Sequence, residues 1–204
     1  AGITFPVFAF ARRSAQRSAC INNMHQLSVN MHLYLQDYNG VFPSFRIDPQ
    51  NRTHADDLAY WHDRFCQGRS PDGISWVSVL TPYGRSQSSD ENYLHCPAEH
   101  HPYTPQATSY ELKMWLALGR NDFEIPSPTD LALFWEQWCF HDGVLPSEYD
   151  RRSNLLIAFF DGHAKPVALE KTTSARYGSG PDLHWFFNAP DSKTQGLGGH
   201  DIID

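Results

Sequence analysis

The 204 residues carry a formal net charge of -7, from 16 Lys and Arg against 23 Asp and Glu, and are 41% hydrophobic, 14% aromatic and 19% charged. A chain of this length and apolarity forms one domain, or one domain with a tail, and is neither intrinsically disordered nor a solvated charged rod. Nucleic acid is not expected as a partner, since that role needs a local basic patch that overcomes the acidic field and no long basic run occurs.

From Pro6 to Tyr38, Ile21, Met24, Leu27, Met31, Tyr34, Leu35 and Tyr38 recur at spacings of three and four. That period predicts an amphipathic helix of about thirty residues, well above the usual ~11 to 12. Pro6 marks either its first turn or a kink, and Asn39-Gly40 supplies the stop, with Pro43 just beyond. The helix opens in AGITFPVFAFA, Ala1 to Ala11, which is uncharged and followed at once by Arg12, Arg13 and Arg17. An end that is apolar all round must be buried in a membrane or against copies of itself. No stretch approaches the roughly twenty apolar residues of a membrane span, and no complete signal peptide is present.

Residues 44 to 75 read as a decorated loop with one helical turn near Leu58, Tyr60, Trp61 and Phe65. Trp76 to Tyr83 fits a short helix or a strand, and Leu94-His95-Cys96-Pro97 an extended piece ended by proline. Leu112 to Leu118 fits a strand or a short helix, and Leu131 to Phe134 a strand. Leu155 to Phe160 is an apolar strand that Asp161-Gly162 turns back into His163 to Leu169, a hairpin with a two-residue turn. From Thr172 onward the composition is loop-like, with one aromatic knot at Trp185, Phe186 and Phe187. No internal repeat or low-complexity tract occurs.

The four cysteines, Cys20, Cys66, Cys96 and Cys139, are too widely spaced for a metal knuckle or a redox CxxC motif, so two disulfides in an oxidising compartment are expected. Their pairing stays open among three possibilities. Asn51-Arg52-Thr53 fits the glycosylation acceptor pattern, which makes Asn51 a candidate. The run His95-Cys96-Pro97-Ala98-Glu99-His100-His101 brings nitrogen and sulfur donors together at a spacing that matches no standard site, and no metal site is expected there. Asp161-Gly162-His163 is read as turn chemistry rather than part of a catalytic set. There is no GxSxG elbow, HExxH, Walker loop or GxGxxG, so no catalytic residue is expected and the chain is not read as an enzyme. The acidic tail Asp191 to Asp204 offers oxygen ligands for Ca2+, outside the EF-hand order; no other cofactor is expected. Trp61, Trp76, Trp115, Trp135, Trp138 and Trp185 suit core and subunit interfaces, or, in an alternative reading, the sugar-binding platform of a secreted monomeric adhesive module. A metal-dependent hydrolase built on the His95 to His101 run ranks last.

The run FPVFAFARRSAQRSACINNMHQLSVNMHLYLQDYNGVFP, Phe5 to Pro43, resembles the start of type IV pilin-like and pseudopilin proteins that carry a prepilin-type cleavage and methylation signal. Their pattern is FPVF, an Arg-rich turn, a Cys, a helix and then YxxDYxGxFP. Trp76, Leu80, Pro82 and Tyr83 resemble the family's W-x3-L-x-PY, Cys96-Pro97 its CP element, and Ser109-Tyr110 its SY element. Asn154 to His163 resembles the terminal hairpin of the subgroup named for an H-x9-DG motif, although the position ten before Asp161 is Arg151. The family's methylated Phe, the Glu after it and the apolar helix leading into FPVF are not among the 204 residues. That start is therefore expected either to be missing from this chain or to have been trimmed by processing. Residues 44 to 75 and 172 to 204 lie outside the resemblance.

The resemblance implies an α+β fold, a long N-terminal helix laid on an antiparallel sheet. Its segments are 1–40, the assembly helix; 41–171, the head; and 172–204, a loop-rich tail packed on the head. It implies a structural subunit of an extracellular filament or pseudopilus, exported, and anchored in the membrane before assembly where the apolar start is present. Its partners are further copies of itself and the membrane-embedded assembly machinery. The expected assembly residues are Phe5, Pro6, Val7, Phe8, Phe10, Arg12, Arg13 and Arg17, with Phe5, Val7, Phe8 and Phe10 buried in the filament interior and the three arginines pairing with acidic groups of neighbours.

Overall fold

The computed structural model describes residues 4–44, 66, 68, 75–84, 91–99, 108–113, 116–137, 140–141, 153–171, 174–177 and 184–187, with backbone alone for the last two segments. Helix α1 spans Thr4–Asp37, 34 residues. Pro6 lies near the start of the described helix. The helix ends as its sequence predicts. Asn39 takes the left-handed conformation (φ 53°), Gly40 follows at φ 79°, and the Gly40 N–H donates to Leu35 O at 2.7 Å. That is the reverse turn of a Schellman end, which satisfies carbonyls the last helical turn leaves open.

Gly40 is required for a second reason. The Asp122 N–H donates to Gly40 O at 2.8 Å, and a Cβ on Gly40 would collide with the side chains of Asp122 and Asn121. Replacing Gly40→Ala is therefore expected to cost roughly 2 kcal/mol, combining a left-handed backbone with a displaced neighbour. A denaturant midpoint lowered at unchanged slope is the readout.

The predicted apolar stripe faces the head: Met24, Leu27, Met31, Tyr34 and Leu35 are buried, joined by Cys20 one turn upstream. They pack on a four-stranded antiparallel meander, order β1-β2-β3-β4. Its strands are β1 (Tyr110–Leu112), β2 (Ala132–Glu136), β3 (Asn154–Phe159) and β4 (Ala164–Ala168). Both faces of the two central strands are buried. Leu133, Phe134, Leu156 and Ala158 join the core that contains the α1 stripe, while Ala132, Trp135, Leu155, Ile157, Phe159 and Val167 form a second apolar cluster. This explains why these strands read as continuous apolar runs instead of alternating ones.

Two α1 histidines bind the turn between β3 and β4. His25 Nδ1 lies 2.7 Å from Gly162 O and His32 Nε2 2.8 Å from Phe160 O, both carbonyls accepting. The turn itself differs from the expected two-residue form. Phe159 N donates to His163 O at 2.8 Å and Gly162 N to Phe159 O at 2.9 Å, so Phe160, Asp161 and Gly162 form a three-residue loop. Only Gly162 is left-handed (φ 92°), the arrangement of a type I turn closed by a glycine bulge.

Trp76–Leu80 is a short helix continued by a 3-10 turn, Thr81–Tyr83, the first of its two readings. Three other expectations are corrected. Leu94 to Pro97 is not extended: Leu94 closes a 3-10 turn, and Glu99 N donates to Cys96 O at 2.9 Å around Pro97, whose fixed φ suits the second position of a β-turn. Leu112 to Leu118 is not one element: Leu112 ends β1, and Leu116–Leu118 is a separate 3-10 turn. The tail is not all loop, since β5 (Ser174–Tyr177) and β6 (His184–Phe187) pair antiparallel, with Ala175 opposite Phe186. β-Branched and aromatic content is the usual strand signal, and the Ser-Ala-Arg-Tyr partner carries only one such residue.

Candidate assembly surface and the cluster beneath it

Along α1, no residue from Pro6 to Ala19 is buried, whereas Cys20 is fully so. The helix therefore has two halves, one seated on the head and one standing clear of it. On the clear half Val7, Phe8 and Phe10 are 63%, 74% and 75% exposed. Their rings and methyls lie in water although fully burying each is worth about 1.5 to 3 kcal/mol. Arg12 and Arg13 follow, also exposed. The Phe5 side chain lies outside the described residues. Val29 and Leu33, 51% and 41% exposed, lie one turn apart on the outward face of the seated half. Among the described residues, no helix is long and apolar enough to cross a membrane.

The junction of the two halves is fastened to the loop before β1. Gln16 Nε2 donates to Pro97 O at 2.8 Å and Asn23 Nδ2 to His95 O at 2.9 Å, and Cys20 forms a disulfide with Cys96. One of the two expected bridges is thus assigned. Cys66 is buried and has no disulfide partner among the described residues, and Cys139 lies outside them. Burial, with the Glu111 charge second, pushes the Cys66 thiol well above its ordinary range.

Beside the disulfide sits a group that sequence reasoning did not single out. Glu136, the last residue of β2, is fully buried, and its Oε1 lies 3.1 Å from His141 Nε2; the same nitrogen lies 3.4 Å from Cys96 Sγ. Burial pushes the Glu136 carboxyl up; His141, the Leu156 N–H and the Arg17 charge pull it back. Of the three arginines expected on the assembly surface, Arg17 is thus the one whose charge reaches the head. The available signal was a lone carboxylate in the apolar run ALFWEQW, which costs free energy unless paired.

The sequence blocks that carry the resemblance hold this frame together. Trp76 Nε1 donates to Cys66 O at 2.6 Å while its ring meets Phe134 at 5.0 Å. The Tyr83 hydroxyl donates to Asp37 Oδ2 at 2.9 Å. Ser109 Oγ accepts from Cys96 N at 2.8 Å and donates to Glu99, and Tyr110, fully buried, accepts from Asn23. Each block joins α1 or the cysteine loop to the sheet.

Other candidates fall apart or lie elsewhere. His95 is half exposed, with Nδ1 3.6 Å from Glu99, while His100, His101, Asn51 and Asp191 to Asp204 lie outside the described residues. Asp161 Oδ1 and His163 Nδ1 are 2.6 Å apart, and the imidazole stacks on Phe159; these contacts brace the turn. Of the tryptophans, Trp76 and Trp135 are buried, so neither is available to a sugar; the side chains of the other four lie outside the described residues.

A long N-terminal helix seated for half its length on an antiparallel meander defines an α+β pilin-like fold. The chain belongs to the family SBP_bac_10, described as a protein of unknown function (DUF1559), whose profile matches residues 10–196. That match runs through 44–75 and most of the tail, the two segments that lie outside the motif resemblance. No curated protein and no solved structure matches the chain.

Proposed function

We propose that this protein is the structural, non-catalytic subunit of a pilus-like filament or pseudopilus on the cell surface, polymerising by helical packing of α1. The observation that carries the reading is the clear half of α1, where Val7, Phe8 and Phe10 stand exposed on a helix that the head does not cover. Removing such an apolar stretch from water by stacking against the same helix of other copies gives a heterologous contact, which does not close and so grows a filament. Arg12 and Arg13, just below, then meet acidic groups of the neighbour, for which a chain of net charge -7 has ample supply. The terminal hairpin supports membership of the H-x9-DG subgroup, with Arg151 in place of its histidine. Export and a membrane-embedded assembly machinery are part of this reading.

Negative-stain electron microscopy of native material tests it. Ordered filaments are expected, and monodisperse monomers at assembly concentrations would overturn it in favour of a binding module.

A further inference from the structure

We propose that Cys20, Cys96, Glu136 and His141 form a redox-gated metal site: closed while the disulfide stands, and a four-ligand centre for a zinc-like divalent cation once it is reduced. One donor atom from each residue lies within 4.8 Å of all the others. Two sulfurs, an imidazole nitrogen and a carboxylate oxygen are the donor set of tetrahedral zinc, whose bonds of about 2.0 to 2.3 Å place donors about 3.3 to 3.8 Å apart. Breaking the S–S bond and letting the sulfurs separate brings the four atoms to that spacing with little backbone movement.

A second observation points into the same space. Glu136 Oε1 is completely buried, with His141 Nε2 at 3.1 Å as its polar partner among the described residues. A cation between Oε1, Nε2 and the sulfurs would compensate the carboxylate charge that burial disfavours. The His141 side chain is itself only 4% exposed, and its Nε2 already faces both Cys96 and Glu136. That makes Nε2 the ligating nitrogen. Two thiolates, one carboxylate and a divalent cation leave one net negative charge, with Arg17 close enough to act on Glu136 as counter-charge.

The chemistry balances with a dithiol reductant. It delivers two electrons and two protons to the Cys20–Cys96 bond, itself closing to a disulfide, and the cation then displaces both thiol protons to solvent. The site sits where the clear half of α1 meets the head, so the covalent staple is exchanged for a coordinate one at the same place. This inference stands apart from the filament reading.

The full chain, reduced with a dithiol and freed of reductant without air, is titrated with Co2+ as a spectroscopic probe. One equivalent is expected to raise visible bands of tetrahedral cobalt and a thiolate-to-metal band, both removed by Zn2+; the oxidised protein should show neither. Glu136→Gln and His141→Ala should each weaken binding at least tenfold, as loss of a ligand exceeds the 10- to 100-fold cost of losing its support. Cys66 and Cys139 remain in every variant, so any band they produce is common to all. Reduced, folded protein without bands, or bands undiminished in both variants, overturns the proposal. Should reduction unfold the chain, Zn2+ must restore the near-ultraviolet circular dichroism of the wild type and fail to restore that of His141→Ala; no recovery in the wild type also overturns it.

Discussion

Replacing Phe8→Asp and Phe10→Asp together should abolish filaments while leaving the thermal unfolding of the monomer within about 0.5 kcal/mol of wild type, the usual range for exposed sites. The two rings are 74% and 75% exposed in the isolated chain, so the fold has little to lose. In a filament the balance inverts. Each subunit would forfeit about 1.5 to 3 kcal/mol of burial per ring and would have to place two carboxylates in an apolar interior, where an unpaired charge costs several kcal/mol more. Because every subunit contributes the same contact, the deficit recurs at each step of growth. Electron microscopy and sedimentation read the outcome, and a doubly substituted protein that still polymerises normally would show that α1 is not the assembly element.

What the sequence made legible follows from the range of the interactions. α1 was readable because a 3.6-residue period and an Asn-Gly stop are local signals, and the stripe that buries is nearly the stripe the spacing names. The β3–β4 hairpin was readable for the same reason, yet its loop was one residue longer than expected. Asp161 stays right-handed, with its Oδ1 accepting the His163 N–H at 3.1 Å, so only Gly162 supplies the reversal. Strand β1, at the sheet edge, was hidden because its Glu111 and the following Lys113, both buried, make it look like a polar connection.

The cluster around the disulfide was hidden for a different reason. Its members come from α1, the Cys96 loop, β2 and the turn after it, with Cys20 and Cys96 76 residues apart, so no window contains two of the donor-bearing elements except Glu136 and His141. Local density also misleads. The His95 to His101 run has the most histidines, but the imidazole that reaches the sulfur is the solitary His141. Tertiary contact, not spacing, selects it.

Removing the disulfide by Cys20→Ser with Cys96→Ser should lower unfolding free energy by about 4 kcal/mol, measured with chelator present so that no metal replaces the staple. The estimate follows from loop closure: a cross-link across 76 residues restrains the unfolded chain by about that much, against total domain stabilities of about 5 to 15 kcal/mol. Reducing the wild type should reproduce the shift, which separates loss of the cross-link from any effect of two buried serines. A midpoint unmoved by both treatments would mean that the unfolded chain is already held by other contacts. The location adds a mechanical consequence. In the proposed polymer, tension along α1 reaches the head first at Cys20, where Gln16 and Asn23 supply two hydrogen bonds and the disulfide the one described covalent cross-link beside the main chain itself. Filaments of the double variant should therefore break at lower shear than wild type while forming with the same helix contacts, because the substitution weakens the joint between the two halves of the subunit and leaves Val7, Phe8 and Phe10 untouched.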